Sequence, residues 1–468
     1  MSLAGVFLTL ASIPVALAET PNIVVILADD LGYGDVSAYN PRSKAPTPNI
    51  DTLARDGIRF TDAHSPASVC VPTRYGLMTG RYPMRTELPW REHALIDEGR
   101  MTLASLLRTA GYATHMVGKW HLGFEGGNAG PRFTNLQGGP LDRGFDTFFG
   151  LASSLDQPPF YYIRGRDAVA APSLSVEASA TEGWTRIQGA FWREGGIAPG
   201  YTHEGVLPTL VGEAESVITK HPGEKPLFLY VALTAPHTPW VPTEEFKGKG
   251  AAGLYGEFLT QVDASVGRVL EALASAGMRD DTLVIFTSDN GPVWYETDNQ
   301  RFGHESTGKL RGMKGDSYEA GHRVPFLVRW PDHAPSGVTS DETICFTDML
   351  ATFAGLVGLE LPGDSGEDSF SVLSAFRGEA SDQPLRPSTI YKNGEVIRMG
   401  DWKLLTHLGS GGFSEPRRIT PVPGGPTGQL FNLRDDVGER HNLWSENPSI
   451  VERLTSELKR VTEAGRHR

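Results

Sequence analysis

Four stretches of the chain share one plan, an unbroken apolar run that stops abruptly at charged or amide residues. "NIVVILADD" ends at Asp29 and Asp30, and "GYATHMVGKWHLG" runs into Lys119 and His121. "PLFLYVALTAPHTP" ends at His237, and "DTLVIFTSDNG" at Asp289 and Asn290. Continuous rather than alternating apolar positions predict strands buried on both faces, as in a parallel sheet covered by helices. Amphipathic patterns lie between them: "TPNIDTLARDGIRF" with a Thr/Pro start, "TLASLLRTAGYAT" stopping at Gly111, and the long "FLTQVDASVGRVLEALASAGMRDDT". Strand-helix alternation of this kind predicts an α/β fold, a mostly parallel doubly wound sheet flanked by helices. Ligands bind such sheets beyond the carboxyl ends of the strands, the edge where these polar residues fall.

Residues 165–205 break the alternation with an Ala-, Ser- and Gly-rich stretch holding Trp184 and Trp192, predicted as an insertion over the site. After about Phe370, "STIYKNGEVIRMGDWKLLTH" and "GQLFNLRDDVGERHNLW" predict antiparallel strands, and "SIVERLTSELKRVTEAG" a closing helix. The expected division is a main α/β domain over residues 19–370 and a small α+β subdomain over 371–468. The first residues form an apolar run ending in Ala16-Leu17-Ala18, which fits a cleaved signal peptide over residues 1–18. Its front lacks Lys or Arg, so a membrane anchor or a buried strand are the alternatives. No later stretch is apolar for the ~20 residues a membrane span needs.

Composition narrows the picture. A chain of 468 residues with 39% hydrophobic and 21% charged positions is globular, and a net charge of -13 argues against nucleic acid or acidic membranes as partners. An anionic substrate would need local positive charge in its site. Two cysteines, Cys70 and Cys345, allow at most one disulfide and no zinc-thiolate cluster.

Asp29, Asp30, Asp289 and Asn290 are hard oxygen donors, a set that suits Ca2+ or Mg2+ rather than a thiophilic metal. Adjacent aspartates repel unless a cation neutralises them. Alone, "DDLGYGD" or "SDNG" reads equally as a cap or turn; together, each at the end of a buried strand, they point to a metal. Lys119 and His121 share one face of an extended chain. His237 sits in "APHTP", and Lys314 in the Gly-punctuated "LRGMKGDSYEAGHRVPF" beside Arg311, Glu319 and Arg323. Singly, each of these reads as a solvated or salt-bridged residue.

Cys70 precedes Pro72, which suits a first helical turn, so the thiol falls near a helix N-terminus with Arg74 one turn on. That setting predicts a lowered thiol pKa and allows a thiolate nucleophile. A soft sulfur among hard oxygen donors is a mismatch, which implies that Cys70 does not act as a thiol.

"CVPTRYGLMTGRYP" resembles the type I sulfatase signature C-x-[PA]-[ST]-R-x-x-x-x-T-G, with Cys70, Pro72, Thr73, Arg74, Thr79 and Gly80 in place. The strand-end motifs and "LRGMKGDSYEAGHRVPF" are similar to others of that family, in its order, and "GQLFNLRDDVGERHNL" resembles its C-terminal motif. The resemblance implies an alkaline-phosphatase-like fold and oxidation of Cys70 to Cα-formylglycine, which sets oxygen where sulfur stood. It implies a divalent cation, Ca2+ before Mg2+, held by Asp29, Asp30, Asp289, Asn290 and the modified Cys70. It further implies that a gem-diol oxygen attacks sulfur and that the second hydroxyl later ejects sulfate. Arg74, Lys119 and Lys314 would neutralise sulfate oxygens, His237 would protonate the leaving oxygen, and His121 would act as base. Ser153 or Ser154 is an expected sulfate-side contact.

The first expected function is therefore hydrolysis of a sulfate ester, on a sulfated small molecule or polysaccharide, by an exported protein. Asp156, Arg164, Trp294 and His304 are candidate sugar contacts, with ordinary loop packing as the alternative. A formylglycine-generating or radical maturation enzyme is an implied partner. Phosphonate monoester or phosphodiester hydrolysis on the same superfold is a second reading. A non-catalytic, metal-bound carbohydrate-binding protein with unmodified Cys70 is a third.

Overall fold

The computed structural model describes residues 20–89, 92–127, 133–185 and 187–468. The expected signal peptide, residues 1–18, lies outside the described residues.

Ten strands form one large sheet. Its centre is Asn22–Asp29, with all eight residues buried, between Thr282–Ser288 on one side and Leu227–Pro236 on the other, both parallel to it. Ala113–Lys119 and Thr147–Leu151 continue the parallel order. These strands are the unbroken apolar runs, and burial on both faces is why they carry no alternation. The flanks are antiparallel: Phe326–Arg329 pairs that way with Thr282–Ser288 and with Ile58–Phe60, and Ile163–Arg164 with Thr147–Leu151. The sheet is thus mixed, with a parallel core, short antiparallel flanks and Val338–Ser340 parallel to Ile58–Phe60 at one edge.

Helices Val206–Thr219 and Gly253–Ser275 pack on each other and on Leu227–Pro236. Helix Pro48–Arg55 has no capping side chain of its own; the Asp263 carboxylate of the long helix accepts from the Asn49 and Ile50 amides at 3.0 and 2.8 Å. That contact ties two helices to one register at a helix N-terminus, where a carboxylate is favoured.

Thr389–Tyr391, Val396–Met399, Trp402–Leu405 and Gln429–Asn432 form a consecutive antiparallel sheet. Helix Pro448–Glu463 covers it with Leu454, Leu458 and Val461 against Ile397, Leu404 and Leu430. The chain enters this sheet only at Thr389: Phe376 still packs on Phe60 and Phe326 in the main core. A buried ionic seam joins the two sheets. The Lys403 ammonium lies 3.0 Å from Glu319 and 2.8 Å from Glu439, and Arg398 lies 2.6 Å from Asp62. Glu319 and Arg323, which read from sequence as a surface salt-bridge loop, belong to this interior seam. No helix among the described residues is long and apolar enough to cross a membrane.

Candidate active site

The three central strands and their neighbour Ala113–Lys119 are parallel, so their carboxyl ends meet at one edge. Asp29, Asp30, Asp289, Asn290, His237 and Lys119 are delivered there by topology alone, and all are buried. Helix Cys70–Thr79 begins over the same edge. Its Arg74 donates to Asp289 Oδ2 from Nε at 3.0 Å and Nη2 at 2.7 Å, and to the Lys119 carbonyl at 2.8 Å. Lys119 Nζ lies 2.5 Å from Asp29 Oδ2, and Lys314 Nζ 2.7 Å from Asp30 Oδ2. Cys70 Sγ is 3.5 Å from Asp29 Oδ1 and 3.6 Å from Lys314 Nζ. His237 Nδ1 is 2.6 Å from the Thr238 carbonyl, which can only accept, so Nδ1 carries the hydrogen and Nε2 faces Asp30 at 3.6 Å.

The charges explain one another. Burial alone would raise the Asp29 carboxyl, but Lys119, His237, Arg74 and Lys314 outweigh it and hold it well below the usual range. Burial and the neighbouring Asp29 push Asp289 up to about 6, against Arg74. Burial, then Lys119 and Arg74, keep the His121 imidazole well below its ordinary value, hence neutral. Cys70 departs from expectation. Burial of the helix start pushes its thiol up to about 12 although Lys119 and Lys314 pull the other way. The predicted low-pKa thiolate is not what this setting makes.

The donor set fits a hard cation. Asn290 Nδ2 donates to Asp30 Oδ1 at 2.7 Å, while Asn290 Oδ1 is buried with no hydrogen-bond partner. A buried acceptor without a donor is costly unless something positive completes it. Ligand atoms of Asp29, Asp30, Cys70 and His237 lie within 4.8 Å of one another. Above them opens a cavity of about 620 Å³, whose lining includes Cys70, His121, Ser154, His237 and Lys314.

A family model described as Sulfatase matches residues 21–359. The chain belongs to the sulfatase family. It is 31% identical, over 95% of its length and 93% of the relative's, to an N-acetylgalactosamine-6-O-sulfatase of Bacteroides thetaiotaomicron. It is 34% identical to the arylsulfatase A of Bos taurus, covering 95% of this chain and 88% of that one. A solved structure from work on the metabolism of multiple glycosaminoglycans by Bacteroides thetaiotaomicron superposes with a TM-score of 0.83 at 30% identity, covering 95% of this chain and all of that one. This sulfatase is accordingly an enzyme that hydrolyses sulfate esters.

The expected substrate contacts divide. Ser154 lines the sulfatase cavity, its Oγ buried without a partner, whereas Ser153 is absent from the lining. Asp156 is buried and held by Arg193. Arg164 does not reach the cavity: it is exposed on a rim strand, paired with Glu213 and stacked on Phe149. Trp294 and His304 do not line the cavity over Cys70 either, though Trp294 lines a separate one with Arg311 and Met313. The Trp294 indole donates to the His304 carbonyl at 2.9 Å and packs on Tyr255, and His304 Nε2 lies 2.8 Å from the buried Asp35. Residues 165–205 contribute no described lining residue; they meet the segment after His237, with the Gly189 carbonyl accepting from Thr238 and Trp240. Unanticipated lining residues are Thr86, Glu87, Leu88, Gln157 and Asn393. Only Gln157, beside "SSLD", stood near a motif that could have pointed to it.

Proposed function

We propose that this sulfatase removes a sulfate monoester from a sulfated carbohydrate, using formylglycine formed from Cys70 and a divalent cation, Ca2+ ahead of Mg2+. The observation that carries the reading is the setting of Cys70: a thiol held protonated, at a helix start, 3.5 Å from a carboxylate of a hard-donor cluster. A soft sulfur does not suit that hard-donor set, whereas an oxygen at the same place does. Asp29, Asp30, Asp289, Asn290 and the modified Cys70 would hold the cation. When present, the cation supplies Lewis-acid charge and the formylglycine hydrate an oxygen nucleophile with a second hydroxyl for release.

The chain's own groups account for the rest. Arg74, Lys119 and Lys314 set fixed positive charge around a tetrahedral anion in a water-poor pocket, where charge stabilisation is strongest. His237 keeps its hydrogen on Nδ1 and offers Nε2 to a proton destined for the leaving oxygen. His121, neutral because it is buried among cations, can take a proton from a hydroxyl near Cys70. Ser154 Oγ is free to bond a sulfate oxygen.

The carbohydrate assignment is supported by the relative named for N-acetylgalactosamine-6-O-sulfate and by a cavity large enough for a sugar ring. Ala16-Leu17-Ala18 supports export to the periplasm or beyond. Maturation of Cys70 requires a separate formylglycine-generating or radical enzyme.

The test uses protein from its native host. The tryptic peptide bearing Cys70 should weigh as the aldehyde, and turnover of 4-nitrophenyl sulfate and of 6-O-sulfated amino sugars should exceed that of phenyl phosphonate. A persistent thiol in active protein, or faster phosphonate turnover, would overturn the reading.

A further inference from the structure

Lys314 owes its place to neighbours far away in the chain. Its own amide donates to the Pro292 carbonyl at 2.9 Å, and the next amide, Gly315, to the Ser68 carbonyl at 2.8 Å. On the opposite side the loop is held by the connection between strands Trp402–Leu405 and Gln429–Asn432 of the C-terminal sheet. Asp316 accepts from the Phe413 and Ser414 amides at 2.7 and 3.0 Å, and Ser317 donates to the Ser410 carbonyl at 2.8 Å. The two segments touch so closely that a Cβ at Gly412 would meet the Gly315 carbonyl oxygen at 2.0 Å.

One side chain closes this clamp. Lys392 Nζ donates to the Gly315 carbonyl and, at 2.5 Å, to the Gly411 carbonyl, while the Lys392 amide donates to Pro66 at 3.3 Å. Lys392 and Asn393 both have left-handed backbones, φ 48° and 54°. That region is unfavourable for a lysine, and such outliers persist where surroundings demand them. Here the turn aims the ammonium at the carbonyl next to Lys314 and sets Asn393 in the lining of the catalytic cavity.

We propose that Lys392 is a positioning residue of the sulfatase reaction, acting through the Gly315 carbonyl to hold Lys314 over Cys70, so that the C-terminal sheet is part of the active site. The proposal rests on the reading of Lys314 as a group that bears on the sulfate. Two carbonyls that share one ammonium lose their donor together when it is removed, and the loop they belong to gains freedom. Lysine in place of a neutral residue also keeps the 409–412 loop against the 311–317 loop without any contact to substrate.

The experiment compares wild type with Lys392→Met in two readouts. Amide hydrogen exchange needs no activity: peptides spanning 312–317 should exchange at least about tenfold faster in Lys392→Met, while those of Asn22–Asp29 stay unchanged. Kinetics on 4-nitrophenyl sulfate should show kcat down about tenfold with KM within about threefold, largely restored in Lys392→Arg. In Lys314→Met the further change Lys392→Met should cost almost nothing, since both act through one group. Unchanged exchange at 312–317, or additive losses in the double variant, would overturn the proposal. An inactive wild type would count against the functional reading alone, because exchange still decides the role of Lys392. Should Lys392→Met not fold, Lys392→Gln carries the same comparison.

Discussion

His237 shows how far one side chain's geometry reaches. A carbonyl holds the hydrogen on Nδ1, so any proton the ring gives up toward the site leaves from Nε2, the atom that faces Asp30 and the cavity. A sugar alcohol is a poor leaving group and needs that proton, whereas 4-nitrophenolate does not. His237→Ala should therefore lower kcat on a sugar sulfate by about 100-fold or more, and on 4-nitrophenyl sulfate by less than about tenfold. Parallel assays of both substrates check this, and equal losses would remove His237 from the acid role. The candidate site residues that were legible in the sequence are those whose type is anomalous for their place: paired aspartates at a strand end, or a cysteine before Pro72 and Arg74 at a helix start. Trp294 and His304 lie off the cavity over Cys70, a placement aromatic and polar content alone does not reveal. Their indole and imidazole bond the half-buried Asn299, the buried Asp35 and the His304 carbonyl. Asn393 was illegible because a turn of the second sheet brings it in.

At the scale of elements, the site depends on how closely the parallel strands approach. Gly118 lies opposite Ala232, one residue before Lys119, with φ 117°, and a Cβ there would meet the Ala232 carbonyl oxygen at 1.8 Å. No side chain fits without parting the Ala113–Lys119 strand from Leu227–Pro236, the pair that brings Lys119 to within 2.5 Å of Asp29. Gly118→Ala should cost about 3 kcal/mol or more of stability through backbone strain and overpacking. Its melting temperature should fall clearly below that of wild type, and an unchanged value would mean the strands have slack the packing does not show. The same strands explain why the sheet's core was legible: long apolar runs buried on both faces leave one reading. The rims were not, because Ile58–Phe60 and Ile163–Arg164 are too short to show a period, and their direction is set by pairing partners distant in sequence. The ionic seam around Lys403 was hidden for a related reason, since its members come from strand Trp402–Leu405, the short helix Glu319–His322 and the connection after Asn432.

The whole molecule holds two opposing responses to acid. Buried carboxyls with raised pKa, Glu439 at about 7 and Asp263 at about 6, bind a proton more readily folded than unfolded. Their contribution is present at low pH and is lost as pH rises through those values. Buried histidines act the other way. Burial holds His203 down at about 4 and His467 at about 2, and lowers His64 and His322. The unfolded chain protonates such rings near the ordinary value while the folded chain refuses, so each costs stability progressively below about 6.5. His203 isolates this effect. It stacks on Trp192 at 4.3 Å and meets Phe160 edge-on at 4.6 Å; its Nε2 is buried with no partner, and burial outweighs the one hydrogen bond to the Leu155 backbone, so the ring stays neutral. His203→Phe keeps the stack and removes the titration, at the cost of the one hydrogen bond to the Leu155 backbone. At pH 7 its melting temperature should match wild type within a few degrees. By pH 4 the wild type should have lost up to about 3 kcal/mol that the variant retains, the free energy of a shift from 6.5 to about 4. Thermal melts at half-unit steps from pH 7 to 4 measure the difference, and parallel curves for the two proteins would show that acid enters this fold elsewhere.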